Sequence, residues 1–251
     1  MFPTMIIALA QTIPTKGDIT KNLEHHHYCT SLAAQHKADI ILFPELSLTG
    51  FEPELAGELA LTIDDDRLQA LSKVAREKNI IIAVGAPLKS QEIPETLPQI
   101  GQIFFFPNGS KKSYAKIYIH TDEVPYFSPG SEHLQLSVGN EKIHSAICAD
   151  ITNPKHPERA SQLDSTIYLA SVCVSKKGFA KDSAVLQSHA TMYRMAVLMA
   201  NYGGITGGYD CAGRSSVWSE DGTLVKEIPH DAEGILLARK VDHVWSGEII
   251  L

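Results

Sequence analysis

The 251-residue sequence has only four cysteines, and no two of them form a Cys-x-x-Cys pair. Cys29, Cys148, Cys173 and Cys211 stand too far apart to read as a disulfide framework or a zinc knuckle. A chain of this length buries enough surface to need neither. They read as free thiols in a reducing compartment, which points to the cytoplasm. No apolar run approaches the roughly 20 residues that span a bilayer. The start, Met1-Phe2-Pro3-Thr4, lacks the basic residues of a secretory leader. Positive charge is also short: 22 Lys and Arg face 29 Asp and Glu, a formal net charge of -7. That balance argues against nucleic acid as a partner, because phosphate binding needs an electropositive face. There is no HExxH motif and no His/Asp cluster at ligand spacing, so no metal and no cofactor is expected. His25-His26-His27 is tempting, but adjacent residues on a helix point apart, and the run reads as a solvated helix face. Gly203-Gly204 and Gly207-Gly208 lack phosphate-loop spacing and read as turns that bring backbone close to a site.

What is present alternates. Met5–Ala10 is an apolar run, and residues 18–37 have helical spacing with Leu23, Thr30, Ala33 and Ala34 inward. Ile40–Phe43 is a second run, stopped by Pro44. Residues 66–78 repeat the helical pattern through Leu68, Leu71, Val74 and Ala75, with carboxylates at 64–66 to cap it, and Ile80–Val84 follows as a strand. Beyond this, residues 102–106 and 113–119 around Asn108-Gly109 predict a hairpin, and 143–148 and 165–170 predict strands. A helix over 183–193, a strand over 196–200, a hairpin around Asp221-Gly222 and a last strand over 234–241 complete the pattern. Residues 91–99, with two prolines, read as a surface loop. Roughly a dozen strands with interspersed helices and no low-complexity linker indicate one α/β domain over 1–251 with two sheets.

Three chemically capable residues fall where strands end: Glu45 after Ile40–Phe43, Lys116 on the second arm of the hairpin, and Cys148 after Ile143–Ile147. Rigid strand ends opening on a crevice are where layered α/β proteins place reacting groups. Singly, each has a plain structural reading, as solvated carboxylate, solvated lysine or small core residue. Their surroundings alter that. Pro44-Glu45-Leu46-Ser47-Leu48-Thr49-Gly50-Phe51, the later Lys116, and Ile147-Cys148-Ala149-Asp150 resemble, in order, motifs of the nitrilase superfamily, the carbon–nitrogen hydrolases. Tyr126-Phe127-Ser128-Pro129-Gly130, the passage from Tyr193 to Asn201 with Gly203, and Cys211–Ser216 with Asp221-Gly222 extend the resemblance almost end to end.

The resemblance implies a four-layer α-β-β-α sandwich in which Glu45, Lys116 and Cys148 meet as a catalytic group, usually in a homodimer or larger assembly. A thiol of pKa near 8.5 is a poor nucleophile at neutral pH without a base beside it. Glu45 would take its proton, and Lys116 with the Ala149 N–H would hold the oxyanion. Glu123 stands where the family commonly has a second glutamate, and Ser171 and Cys173 fall where a pocket wall is expected, although isolated cysteines more commonly pack. Cys148-Ala149-Asp150 is nearer to amidases and carbamoylases than to the Cys-Trp-Glu of nitrilases. The expected reaction is therefore hydrolysis of a small, ω-amide-like substrate by water, with an N-carbamoyl compound or a nitrile as alternatives. A silent binding protein on the same fold is the alternative from another class. Lys176, Lys177 and Arg194, near pocket segments, suggest a carboxylate-bearing substrate.

Overall fold

The computed structural model describes residues 4–90 and 96–250. The expected loop at 91–99 therefore lies largely outside the described residues. The first half runs β1 (Thr4–Gln11), α1 (Ile19–Gln35), β2 (Ile40–Leu42), a short α2 (Ala56–Leu59), α3 (Gln69–Lys78), β3 (Ile81–Leu88), β4 (Gln99–Phe105) and β5 (Lys111–Ala115). The second runs β6 (Gln135–Val138), β7 (Glu141–Ile147), α4 (Lys155–Gln162), β8 (Ile167–Ser171), α5 (Phe179–Tyr193) and β9 (Ala196–Ala200). A ribbon of β10 (Ile205–Thr206) and β11 (Tyr209–Asp210) precedes β12 (Ser216–Trp218), β13 (Leu224–Glu227), β14 (Gly234–Val241) and β15 (Val244–Ile250).

The strands build two large sheets, β15-β14-β1-β2-β3-β4-β5 and β13-β12-β9-β8-β7-β6. Each has a parallel centre, β1-β2-β3 in one and β7-β8-β9 in the other. The sequence of β1 explains the layering. Met5, Ile7 and Leu9 alternate with Ile6, Ala8 and Ala10, and all six are buried. A strand apolar on both faces must be covered on both. The first set packs between the sheets against Ile143, Ile147 and Leu169. The second packs outward with Cys29 and Ala33 of α1 and Leu71 and Val74 of α3. On the far side, Ala160 of α4 and Leu186 and Ala190 of α5 cover Tyr168, Val197 and Met199. The result is the expected α-β-β-α sandwich. Among the described residues, no helix is long and apolar enough to cross a membrane.

Several elements differ from the sequence reading, among them α2, the β10–β11 ribbon and the following three. The strand expected over 113–119 ends at Ala115, because the N–H groups of Ile117 and Tyr118 go to the Asp150 carboxylate instead of a strand partner. The chain does not end its pairing at 241: Asp242 and His243, both at positive φ, turn it back into β15. That turn carries no Gly, the usual mark of such a hairpin. The third is the short edge strand β6, which a turn at Gly139-Asn140 pairs with β7.

Candidate active site

Glu45 follows β2 in a tight turn whose residues are all buried. The turn lies against β3 at Gly85, where a Cβ would sit 2.3 Å from Leu46 N, so only glycine permits the approach. Leu48 N–H donates to Gly85 O at 2.9 Å, and Gly85 N–H donates to Ser47 Oγ at 3.0 Å. Ser47 in turn faces His26 Nε2 at 2.9 Å. His26 Nδ1 meets the Asn22 carbonyl and must donate there, so Nε2 accepts from the Ser47 hydroxyl. Burial pushes the His26 pKa down to about 3, and its ring stacks on Phe43 at 3.9 Å. The middle of the histidine run is therefore no solvated face but a neutral, buried prop for the Glu45 turn. Tyr202 completes it by donating its hydroxyl to Glu45 O at 2.6 Å.

Lys116 lies one residue past β5, its backbone fixed by bonds from its own N–H to Ile100 O and from Gly130 N–H to its carbonyl. A Cβ on Gly130 would fall 2.3 Å from Ala115 O, so that glycine too is dictated by close approach. Lys116 is fully buried, and Nζ donates to Glu45 Oε1 at 2.8 Å and Glu123 Oε1 at 2.6 Å. Glu123 Oε2 accepts from His120 N–H at 2.7 Å. Burial alone would lower the Lys116 pKa, but Glu45, the Cys148 sulfur and Glu123 outweigh it and hold the ammonium firmly charged.

Cys148 directly follows β7, at φ +40, and opens a 3-10 turn over Cys148–Thr152. Its thiol is pushed well above its usual pKa by burial and then by Glu45, against Lys116 and the nearby Cys173 N–H. It is therefore not a standing thiolate and needs a base in the reacting step. Glu45 is suited to that: burial, against the pull of Lys116, raises its carboxyl to about 7. Its Oε1 is held by Lys116, Oε2 has no hydrogen-bond partner, and the Cys148 thiol lies near enough to favour the ionised carboxylate. The Ala149 N–H lies in the first turn of this short helix, where backbone N–H groups have no intrahelical acceptor.

The turns that carry Lys116 and Cys148 are tied together by one carboxylate. Asp150 Oδ1 accepts from Ile117 N–H at 3.1 Å and Tyr118 N–H at 3.0 Å. Its Oδ2 accepts from Ile147 N–H at 2.9 Å and the Tyr114 hydroxyl at 2.6 Å. Because the Tyr114 proton goes to Asp150, His156 Nε2 at 2.8 Å must donate to the Tyr114 oxygen, and His156 Nδ1 accepts from Tyr168 at 2.7 Å. The result is a buried chain Tyr168–His156–Tyr114–Asp150. Sequence reasoning took Asp150 only as part of a motif, and no local pattern marks Tyr114, His156 or Tyr168.

His133, His144 and His156 place ring nitrogens within 4.8 Å of one another, the one group of metal-ligand type among the described residues. Both nitrogens of His156 are engaged by tyrosines, so it offers no free lone pair to a metal ion. His144 Nε2 lies 3.1 Å from His133 Nδ1, and His144 Nδ1 has no partner. With its proton on Nε2, His144 leaves only a bare acceptor unpaired, which is less costly than an orphaned N–H.

The remaining expected site residues are dispersed in role. The Ser171 hydroxyl, placed in the pocket wall on sequence grounds, donates instead to Phe43 O at 2.8 Å and ties β8 to the segment after β2. Cys173 Sγ lies 3.7 Å from Cys211 Sγ. A cleft of about 710 Å³ meets the group at Glu123 and is also lined by Glu52, Glu54 and Asp122. The three cations expected to favour an anion are absent from its walls. Lys176 is paired to Asp210 at 2.8 Å and Asp231 at 2.7 Å, and Lys177 and Arg194 are exposed elsewhere. Nearness in sequence did not carry those side chains to the cleft.

A four-layer sandwich with a buried Glu-Lys pair beside a strand-end cysteine is an arrangement of the nitrilase type. The family model for carbon-nitrogen hydrolase matches residues 6–242, and the chain belongs to that family. It is 31% identical over 240 residues to a glutamine-dependent NAD(+) synthetase of Aquifex aeolicus, covering 92% of this chain and 41% of that protein. A 2-oxoglutaramate amidase of Bacillus subtilis is 29% identical over 149 residues, 55% of this chain and 53% of that one. The chain thus spans about half or less of the curated relatives it matches. The structure of an amidase from Nesterenkonia sp. in complex with butyramide superposes with a TM-score of 0.85 at 21% identity, covering 95% and 92% of the two chains, and shares the fold.

Proposed function

We propose that this chain is a thiol-dependent amidase that hydrolyses a small ω-amide through a thioester on Cys148. The observation that carries the reading is Glu45: a buried carboxylate with one oxygen held by Lys116, the other unpartnered, and a proton affinity near neutrality beside a protonated thiol. A group that must take a proton and return it works best with a pKa near the working pH.

In the first half-reaction Cys148 Sγ attacks the amide carbon while its proton passes to Glu45. The oxyanion forms between Lys116 Nζ and Ala149 N–H. As the tetrahedral adduct collapses, Glu45 gives the proton to the departing nitrogen, the C–N bond breaks and ammonia leaves. In the second half, Glu45 takes a proton from water, hydroxide attacks the thioester carbon, and the C–S bond breaks. Glu45 then returns the proton to sulfur, and the carboxylic acid departs. Glu123 acts through Lys116, holding Nζ at the oxyanion position. Both relatives named above support an ω-amide, since one is glutamine-dependent, the other acts on 2-oxoglutaramate, and both compounds are ω-amides. The synthetase activity forms no part of the proposal, because this chain covers less than half of that protein.

Product analysis tests it. Incubation with short ω-amides should release one ammonia per carboxylic acid formed, with no carbon dioxide, and nitriles should survive. Stoichiometric carbon dioxide from N-carbamoyl compounds, with amides left intact, would instead identify a carbamoylase.

A further inference from the structure

The charge of the cleft says more about what enters it. Glu52, Glu54, Asp122 and Glu123 share its wall with the rings of Phe51, Tyr126 and Tyr209. The lysine there, Lys16, is bridged to Glu52 at 3.1 Å, and Glu52 also accepts from Gly207 N–H at 2.9 Å. Glu123 is occupied by Lys116 and His120. Asp122 and Glu54 are left with no cation against them among the described residues. The Asp122 carboxylate meets only the Tyr209 hydroxyl, at 2.9 Å, and the Tyr209 ring stands edge-on to Phe51 with centroids 5.6 Å apart. Carboxylates set among aromatic faces are the surroundings that favour an ammonium group, by charge and by the ring quadrupole together. The cleft meets the reacting group at Glu123, the carboxylate that holds Lys116 Nζ at 2.6 Å.

We infer that the cleft takes an amide whose far end carries an ammonium group, with Asp122 and Glu54 as its counter-ions and Phe51, Tyr126 and Tyr209 as its walls. The inference rests on the amidase reading and names the substrate class of that same site. A terminal carboxylate would face unpaired Asp122 and Glu54 and would have to displace Glu52 from Lys16 to find a partner. A neutral amide would fit the rings and gain nothing from the carboxylates.

Three amides of equal length separate the cases: δ-aminovaleramide, valeramide and the monoamide of glutaric acid. The expected order of kcat/KM is ammonium above neutral above carboxylate, with about tenfold or more between the first and the last. Added salt should narrow that gap. Asp122→Asn and Glu54→Gln should each shrink the ratio of the ammonium amide to the neutral one. Calorimetric binding of the same compounds to Cys148→Ala reads the order without turnover. If wild type cleaves none of the three, the amidase reading fails, and the binding order still decides this inference. A carboxylate amide that binds or reacts best, or a series indifferent to charge, overturns it.

Discussion

The molecule buries two groups of titratable side chains on either side of the same two turns, and they differ in what each leaves open. Tyr168, His156, Tyr114 and Asp150 form a chain in which each proton has an acceptor, and burial keeps His156 neutral with a pKa down to about 2. Glu45, Lys116 and Glu123 are as deeply placed but form an ion-paired group, with one Glu45 oxygen unused and the neutral Cys148 thiol beside it on a partly exposed residue. A saturated network holds atoms still, whereas chemistry needs a group with spare hydrogen-bonding capacity and a way in. Asp150 joins the two: three of its four accepted bonds come from backbone N–H groups and fix the residue before Cys148 and the two after Lys116, and the fourth comes from Tyr114.

The comparison is most strongly tested at Lys116. Lys116→Ala should lower kcat by about 10²–10³ or more, the range for losing an oxyanion donor. It should also destabilise the fold by about 3–5 kcal/mol, because Glu45 and Glu123 are left buried without their cation. Lys116→Arg should rescue poorly, since a planar fork does not fit a site shaped for a point charge. Near-normal rates in both variants would remove Lys116 from the reacting group.

Acid stability probes the neutral histidines. His26 and His144 are lowered to about 3 and His156 to about 2 by burial, from an ordinary 6.5. Their contribution is complete above pH 6.5 and is lost as pH falls toward those values, by about 1.4 kcal/mol per pH unit each. Glu45, raised from 4.5 to about 7, acts in the opposite sense over that interval, since its protonated form favours the fold. Urea unfolding should therefore show stability falling by about 2–3 kcal/mol between pH 6 and 5. His144→Phe should flatten this slope by about 1.4 kcal/mol per unit. A flat wild-type profile would mean that these rings are not held neutral.

Tyr114→Phe separates holding from reacting. It leaves the His156 N–H and one Asp150 lone pair without a partner, at about 1–3 kcal/mol of stability. It touches no reacting atom, so kcat should fall less than tenfold while Cys148 keeps its alkylation profile with pH. A loss as deep as that of Lys116→Ala would put Tyr114 within the reacting group. The pH dependence of kcat/KM tests Glu45: it should fall tenfold per unit on acidification below about 7 as Glu45 gains its proton. Activity independent of pH between 5 and 8 would show that Glu45 is not the base.

Much of this site was legible because its parts sit in short local patterns. An apolar strand followed by Pro44-Glu45, or by Cys148-Ala149-Asp150, locates a side chain at a strand end from sequence alone, and the structure brings Glu45, Lys116, Glu123 and Cys148 together. The supporting network was not legible. Tyr114, His156 and Tyr168 come from β5, α4 and β8, and only the packing of two sheets makes them neighbours. His26 lay inside a run of three histidines, where helix geometry predicts divergence but not which ring turns inward. The cleft's charge was not legible for a related reason: Glu54 and Asp122 are far apart in the chain, so their sum is visible only once folded.

The central claim is a covalent acyl group on Cys148, and mass spectrometry tests it directly. Wild-type protein mixed with excess valeramide and quenched in acid during turnover should carry one valeryl group, on the peptide containing Cys148, and Cys148→Ala should carry none. Cys173→Ala and Cys211→Ala should label as wild type does. Turnover with no adduct at any quench time, or an adduct on Cys173 or Cys211, would contradict the mechanism.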